Sequence, residues 1–366
     1  MKVLCVICAL LYLNCALNRT SRFIGWWGVG IVRFENAVCT AANGLLGICY
    51  TRRQCTAIGG YTSGKCARNV GVCCVVQRSC GALSSNNNTY FQNPSFPNVF
   101  LGANTCSLTV QRCSADVCQI RIDFLSFSLA QPNGDGICAN DALIISGAAA
   151  NIGRICGENT GQHIYLDFNN ENNIDINIFT SSAISIGRQW NLRIAQIGCD
   201  SPTRAMPGCL MYYGGTSGTV RSFNYGQSVN TFPPPSNPQA VGGRQLANMN
   251  YGICIRAAPG MCSIQWSATS GDPFAFTVSQ DAQAQVTLTG TDCATDYIII
   301  PNGVTTAGNG EQLLADRYCG SLFRTVTTSS VPFVLIAVTN GNETQDSANR
   351  GFSLSYAQQQ CTNTLL

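Results

Sequence analysis

Twenty-two cysteines are spread along the whole length of this 366-residue chain. The chemistry they offer is oxidation to disulfides, a hazard in a reducing cytosol and a covalent frame outside the cell. Imidazole is scarce. His163 is the one histidine, which leaves no material for a His-rich metal site or a helical zincin motif. Its alternating neighbours, Gly161-Gln162-His163-Ile164-Tyr165, place it on a strand face in a structural role. Asp167, Glu171 and Asp175 can be drawn as paired carboxylates for glycoside hydrolysis, but acids scattered through an Asn-rich loop read as solvated. No Gly-x-Ser-x-Gly elbow or phosphate loop occurs. No catalytic residue is expected, and the chain reads as a non-enzyme.

Composition narrows the class. Charged residues make up 11% and hydrophobic ones 45%, which argues against a disordered, coiled-coil or nucleic-acid-coating protein. Lys2 and the apolar run Val3 to Leu13 predict a signal peptide over residues 1–16, whose cleavage removes Cys5, Cys8 and Cys15. No later apolar run reaches the roughly 20 residues of a membrane helix, so a secreted, extracellular protein without a transmembrane segment is expected. Asn18, Asn87 and Asn342 open Asn-x-Ser/Thr triplets and are candidate glycan sites on exposed backbone.

Charge is uneven. Eight basic residues and one acid lie between residues 17 and 80, whereas twelve Arg face seventeen acids after it. Arg52, Arg53, Lys65, Arg68 and Arg78 form a candidate patch for a polyanion, such as a sulfated glycan or an acidic partner; the alternative is a solvated face. In the lead segment, residues 17–38, Phe23-Ile24-Gly25-Trp26-Trp27 and Ile31-Val32-Arg33-Phe34 concentrate aromatic and aliphatic groups that need cover, either from a partner or by packing on the first large domain.

Residues 39–78 hold Cys39, Cys49, Cys55, Cys66, Cys73 and Cys74 among many glycines. Six cysteines allow 15 pairings. The adjacent Cys73-Cys74, Gly47-Ile48-Cys49 and the short step to Cys55 resemble the clip domains of arthropod immune proteases. That resemblance implies Cys39 with Cys73, Cys49 with Cys66 and Cys55 with Cys74, although no protease body follows.

The rest of the chain is a duplication, read as domains at 80–199 and 209–361 joined by a linker at 200–208, with a Pro-rich insert at about 231–250 and a tail at 362–366. Cys138 precedes Asp141 by the same step as Cys293 precedes Asp296, Cys156-Gly157 answers Cys319-Gly320, and Trp190 stands before Cys199 as Phe352 stands before Cys361. Each copy alternates with period two, as in Ile174, Ile176 and Ile178 or Phe352, Leu354 and Tyr356. One face is therefore buried and the other wet. Short strands between Gly, Asn and Pro turns predict an all-β chain with two antiparallel sandwiches.

Cys80-Gly81, Cys106, Cys138 with Asp141, and Cys156-Gly157 resemble a CUB domain; Cys209, Gly214-Gly215, Cys254, Cys293 with Asp296-Tyr297, and Cys319-Gly320 resemble a second. The resemblance implies jelly-roll-like sandwiches and the pairs Cys80 with Cys106, Cys138 with Cys156, Cys209 with Cys254 and Cys293 with Cys319. The duplication adds Cys118 with Cys199 and Cys262 with Cys361. A bridge closing some 80 residues contributes about 4 kcal/mol through the unfolded chain. Cys113 is left over, expected at a hairpin tip, where it would join another chain, pair locally with Cys118 or carry a small-thiol cap.

Many CUB domains hold Ca²⁺ with a Glu and two Asp. Here the central acid persists as Asp141 and Asp296, while the Glu position falls near Ala130 or Ser279 and the last Asp near Ser181 or Asn340. Two of three ligands are lost in each copy, so Asp141 and Asp296 are residual calcium candidates, and the competing reading has them capping loop amides. No cofactor is expected. The whole arrangement resembles secreted arthropod proteins with paired CUB domains behind a cysteine-rich segment. It implies an interaction protein binding an extracellular protein or glycan; the alternatives are a regulator or decoy in a clip-protease cascade and a matrix or secretion component assembled as a dimer through Cys113.

Overall fold

The structure is a computed structural model and describes residues 20–24, 31–169, 171–226, 244–282, 284–306, 310–341, 346 and 349–361. The expected signal peptide, Asn18, Asn342, most of the Pro-rich insert and the tail lie outside the described residues, as do the side chains of Phe23, Ile24, Trp26 and Trp27. No described helix is long and apolar enough to cross a membrane.

The first described elements are an antiparallel pair, β1 (Thr20–Ile24) and β2 (Ile31–Glu35). The six-cysteine module follows: β3 (Val38–Thr40), β4 (Leu46–Tyr50), helix α1 (Arg52–Ala57), β5 (Tyr61–Cys66) and β6 (Gly71–Arg78). Helix α1 starts on a capping box in which Thr51 Oγ1 accepts from Gln54 N–H and Gln54 Oε1 accepts from Thr51 N–H. Three disulfides, Cys39 with Cys73, Cys49 with Cys66 and Cys55 with Cys74, take the place of a large core. Phe34 lies against Gly71, beside the sulfurs of Cys49 and Cys66, so this part of the lead segment covers the module rather than the first large domain.

Domain 1 is a two-layer sandwich of β7 (Ala82–Ser84), β8 (Thr89–Gln92), β9 (Thr105–Gln111), β10 (Val117–Ser128), β11 (Ala142–Ser146), β12 (His163–Asp167), β13 (Asn173–Phe179) and β14 (Gln189–Gly198). One sheet runs β12-β10-β14-β8 and the other β11-β13-β9-β7. Period-two alternation turns Ile174, Ile176 and Ile178 of β13 fully inward, and Trp190 fills the space between Phe91 and Phe100. Pairing is antiparallel except at β7 with β9 and β8 with β6. Through that second pair, Val76↔Thr89 to Arg78↔Phe91, the sheet of the small module continues into domain 1, so the two share hydrogen bonds as well as a chain junction.

Domain 2 repeats the plan with β15 (Cys209–Tyr213), β16 (Ser217–Arg221), β17 (Asn250–Ile255), β18 (Met261–Ala268), β19 (Phe276–Thr277), β20 (Thr287–Thr289), β21 (Tyr297–Thr306), β22 (Gln312–Gly320), β23 (Val326–Thr328), β24 (Phe333–Val338) and β25 (Gly351–Gln360). Its order, β15-β17-β24-β21 and β23-β18-β25-β16, matches domain 1 strand for strand, down to the parallel β15 with β17. Here β23 pairs with both β21 and β18 and curls the two layers into one continuous sheet. The hairpin of β21 and β22 has only an isolated bridge, Leu143↔Ile155, as its counterpart in domain 1. In the two domains the structure pairs Cys80 with Cys106, Cys118 with Cys199, Cys138 with Cys156, Cys209 with Cys254, Cys262 with Cys361 and Cys293 with Cys319.

Cys113 departs from expectation. It is disulfide-bonded, and its partner lies outside the described residues. It is 7% exposed, because the connection from β9 to β10 crosses between the two sheets rather than turning a hairpin. Gln196 Oε1 accepts its backbone N–H. Bonding of Cys118 to Cys199 removes the local alternative.

Candidate functional site

At one end of domain 1, three loops meet on Asp141. Its Oδ2 accepts from Ala130 N–H (2.9 Å) and Arg188 Nε (2.9 Å), and its Oδ1 from Ser181 N–H (3.0 Å) and Arg188 Nη2 (3.0 Å). The CUB resemblance puts its acids near Ala130 and Ser181, and here these two residues contribute backbone donors. Asp141 and Arg188 are both fully buried. Arg188 also donates to the carbonyls of Ser181 and Ile186, and its backbone exchanges both hydrogen bonds with Phe100. The segment 93–104 is thereby tied to the 180–188 loop, with Gly187 against Val99. At the outer surface of this end, Val99 is 51% and Leu101 68% exposed.

The matching end of domain 2 is built differently. Asp296 Oδ1 accepts from Asn340 N–H (2.7 Å) and Oδ2 from Gln245 Nε2 (2.7 Å), which also donates to the Val278 carbonyl. Burial pushes the Asp296 carboxyl up to about 6, against the lowering effect of the Asn340 N–H, with Asp346 adding like charge. Asp346 caps the Gln280 N–H and is itself pushed up by burial. Among the described residues, no cluster of three or more His, Cys, Asp or Glu could hold a metal.

The two domains meet along a seam. The edge strand β12 faces β15: Tyr165 and Ile197 pack with Cys209, Cys254 and Ala205, while the rings of His163 and Tyr213 lie 4.8 Å apart. Burial, and next the Arg121 charge, pull the His163 imidazole down to about 4, so it is neutral at physiological pH. A second line of contact centres on buried Asn224. Its Oδ1 accepts from Glu158 N–H, its Nδ2 donates to Gln131 Oε1 and the Arg244 carbonyl, and its N–H donates to Asn159 Oδ1. Arg244 Nε and Ala247 N–H reach the carbonyls of Gly134 and Gly136 in domain 1. The expected linker is pinned as well, since Gln119 donates to the Ala205 carbonyl, accepts its N–H, and Arg204 pairs with Asp167.

The remaining candidates divide. Arg52 and Arg53 are exposed on α1, Lys65 on β5 and Arg68 in the β5–β6 turn. Arg78 leaves the expected patch: half-buried, it donates to the Ile58 and Gly59 carbonyls at the end of α1, and burial lowers its pKa. Asn87, expected on exposed backbone, is turned inward at 8% exposure, its Oδ1 accepting from Asn88 and Gln196 N–H. Asp175 accepts from Thr109 Oγ1 and Asp167 from Gln119 and Arg204; each has its own structural partner. Sequence reading missed Arg188 and Gln245. For Arg188 a signal existed, because it stands two residues before Trp190, as Arg350 stands two before Phe352.

The sequence matches the CUB domain over residues 80–193 and the animal CUB domain over residues 206–359. No curated protein matches it. Similar solved structures include the CUB1-EGF-CUB2 domains of rat MASP-1, at 12% identity over 77% of this chain and 99% of that one, TM-score 0.26. The same region of human MASP-1/3 aligns at 14% identity over 75% and 100%, TM-score 0.26. The MASP-1 CUB2 domain bound to Ca²⁺ aligns at 19% over 32% and 98%, TM-score 0.27. With its two matches spanning most of its length, the chain belongs to the CUB domain family, a family of protein-interaction modules.

Proposed function

We propose that this is a secreted, non-enzymatic interaction protein that binds an extracellular protein through the loop end of domain 1. The observation that carries this reading is the pair of loops lashed to Asp141 and Arg188, which hold Val99 and Leu101 in solvent on a rigid base. Exposed apolar side chains on pre-set loops gain binding energy without an ordering cost, and their character favours a protein surface over a glycan. Cysteine-rich composition supports an extracellular setting. The basic side chains of the small module, Arg52, Arg53, Lys65 and Arg68, supply a second contact for a polyanion, and two contacts on one chain raise avidity.

A second reading, a non-catalytic regulator of a clip-protease cascade, draws support from the bridge order of the six-cysteine module, which is the order the clip resemblance implies. The full chain, expressed through a secretory pathway and used for proximity labelling in native extracellular fluid, separates the two. Labelled partners that disappear on Val99→Asp with Leu101→Asp support the first reading; partners that are serine proteases and survive that change support the second. Retention inside the cell with reduced thiols overturns both.

A further inference from the structure

We infer that Arg188 is the built-in cation of domain 1, occupying by its guanidinium the role that Ca²⁺ has in the family pattern, so that this loop end is set without metal. A carboxylate has about four lone-pair sites, and all four at Asp141 are taken by N–H donors from Ala130, Ser181 and Arg188. Ca²⁺ requires six to eight oxygens at roughly 2.3–2.6 Å; the residues here do not fit it, since acids are replaced by Ala130 and Ser181 and the remaining carboxylate is saturated. Arg188 does what a chelated ion would do: it neutralises the buried charge and gathers loop carbonyls, those of Ser181 and Ile186. Burial of both partners at 0% exposure and the two-pronged contact make the pair resistant to solvent exchange.

The duplication supplies an internal comparison. Arg350, which holds the same place before Phe352, turns instead to Asp272 and lies over the rings of Tyr225 and Phe274. Asp296 then takes an uncharged donor, Gln245. The two domains have the same acid in the same strand framework and different partners for it, so metal dependence, where any exists, is confined to domain 2.

Calorimetric titration of the full chain with CaCl₂ alone, and melting in CaCl₂ against EDTA, test this. Either no binding by the wild type or binding that Asp296→Asn abolishes supports the inference; binding that Asp296→Asn leaves intact and Asp141→Asn removes overturns it. Independently, Arg188→Met is expected to lower the melting temperature by roughly 10 °C in both conditions, or to prevent recovery of folded protein, with Arg188→Lys intermediate. An Arg188→Met protein that melts with the wild type also overturns it.

Discussion

His163 Nε2 stands 3.0 Å from the Tyr212 carbonyl and 3.2 Å from the Tyr212 N–H, so the one imidazole of the chain joins domain 1 to domain 2. A neutral ring satisfies one of these in either tautomer. Around it lie Arg121, Asp123, Tyr165 and Tyr213, with Arg121 bonded to Asp123 and to the Tyr165 hydroxyl.

Acid should therefore weaken the seam. The folded imidazole has its pKa lowered to about 4, below an unfolded value of about 6.5. Its stability contribution is complete above pH 6.5 and is lost as pH falls from there toward 4, because the unfolded chain binds the proton first. The whole window is worth about 3 kcal/mol at about 1.4 kcal/mol per unit. Melting temperature measured from pH 7.5 to pH 4 should fall more steeply for the wild type than for His163→Gln, and equal slopes would remove His163 from the account.

Gly157 reports on the other half of the seam. It has φ of +76°, and a Cβ there would collide with Asn224 Oδ1. Gly157→Ala must both strain the backbone and displace the amide that links four segments, for an expected loss on the order of 3 kcal/mol. Gly161→Ala is the control, with φ of +87° and open space around the added methyl; strain alone costs about 1 kcal/mol. Urea unfolding of both variants tests the difference, and limited proteolysis should cut Gly157→Ala between the domains while sparing Gly161→Ala.

These residues explain what the sequence could and could not display. Strand faces such as Ile174, Ile176 and Ile178 announce themselves because burial imposes a period, and the repeat of Cys, Asp and Trp or Phe positions survives because each holds a fixed place between sheets. A seam has no period. Asn224, Gly157 and Gln162, whose amide donates to the Arg221 and Ser222 carbonyls, lie outside the strands and read as solvated loop until the partner domain is in place, and β12 reads as a strand without disclosing that its free edge faces β15. Arg188 was hidden for a similar reason: a loop arginine counts as surface charge until both its acid and its burial are seen.

Asn87 should carry no glycan in the folded protein. Its Oδ1 holds the N–H groups of Asn88 and Gln196, the latter on β14, and little of the side chain reaches solvent. Glycopeptide mapping of secreted material should find the Asn87 peptide unmodified, and a glycan recovered there from folded protein would contradict the packing. Asn87→Ala leaves two buried donors without their acceptor and should cost on the order of 2 kcal/mol in chemical unfolding.

Disulfide mapping should change the expected start of the mature chain. Among the described cysteines, eighteen pair with one another and Cys113 is bridged as well. The sequence holds three further cysteines, Cys5, Cys8 and Cys15, all of which a cut after about residue 16 would discard. A bridged Cys113 and a cut at that point are incompatible within one chain. Cys15 is the one outside the Val3 to Leu13 apolar run on which the signal-peptide expectation rests, so cleavage before Cys15 is the outcome we expect the mapping to show. Nonreducing peptide mass spectrometry of secreted protein should recover a linked peptide containing Cys113 and Cys15, and Cys113→Ser should leave a titratable thiol at Cys15. A mature N-terminus after residue 16, with Cys113 joined to glutathione, would restore the first expectation.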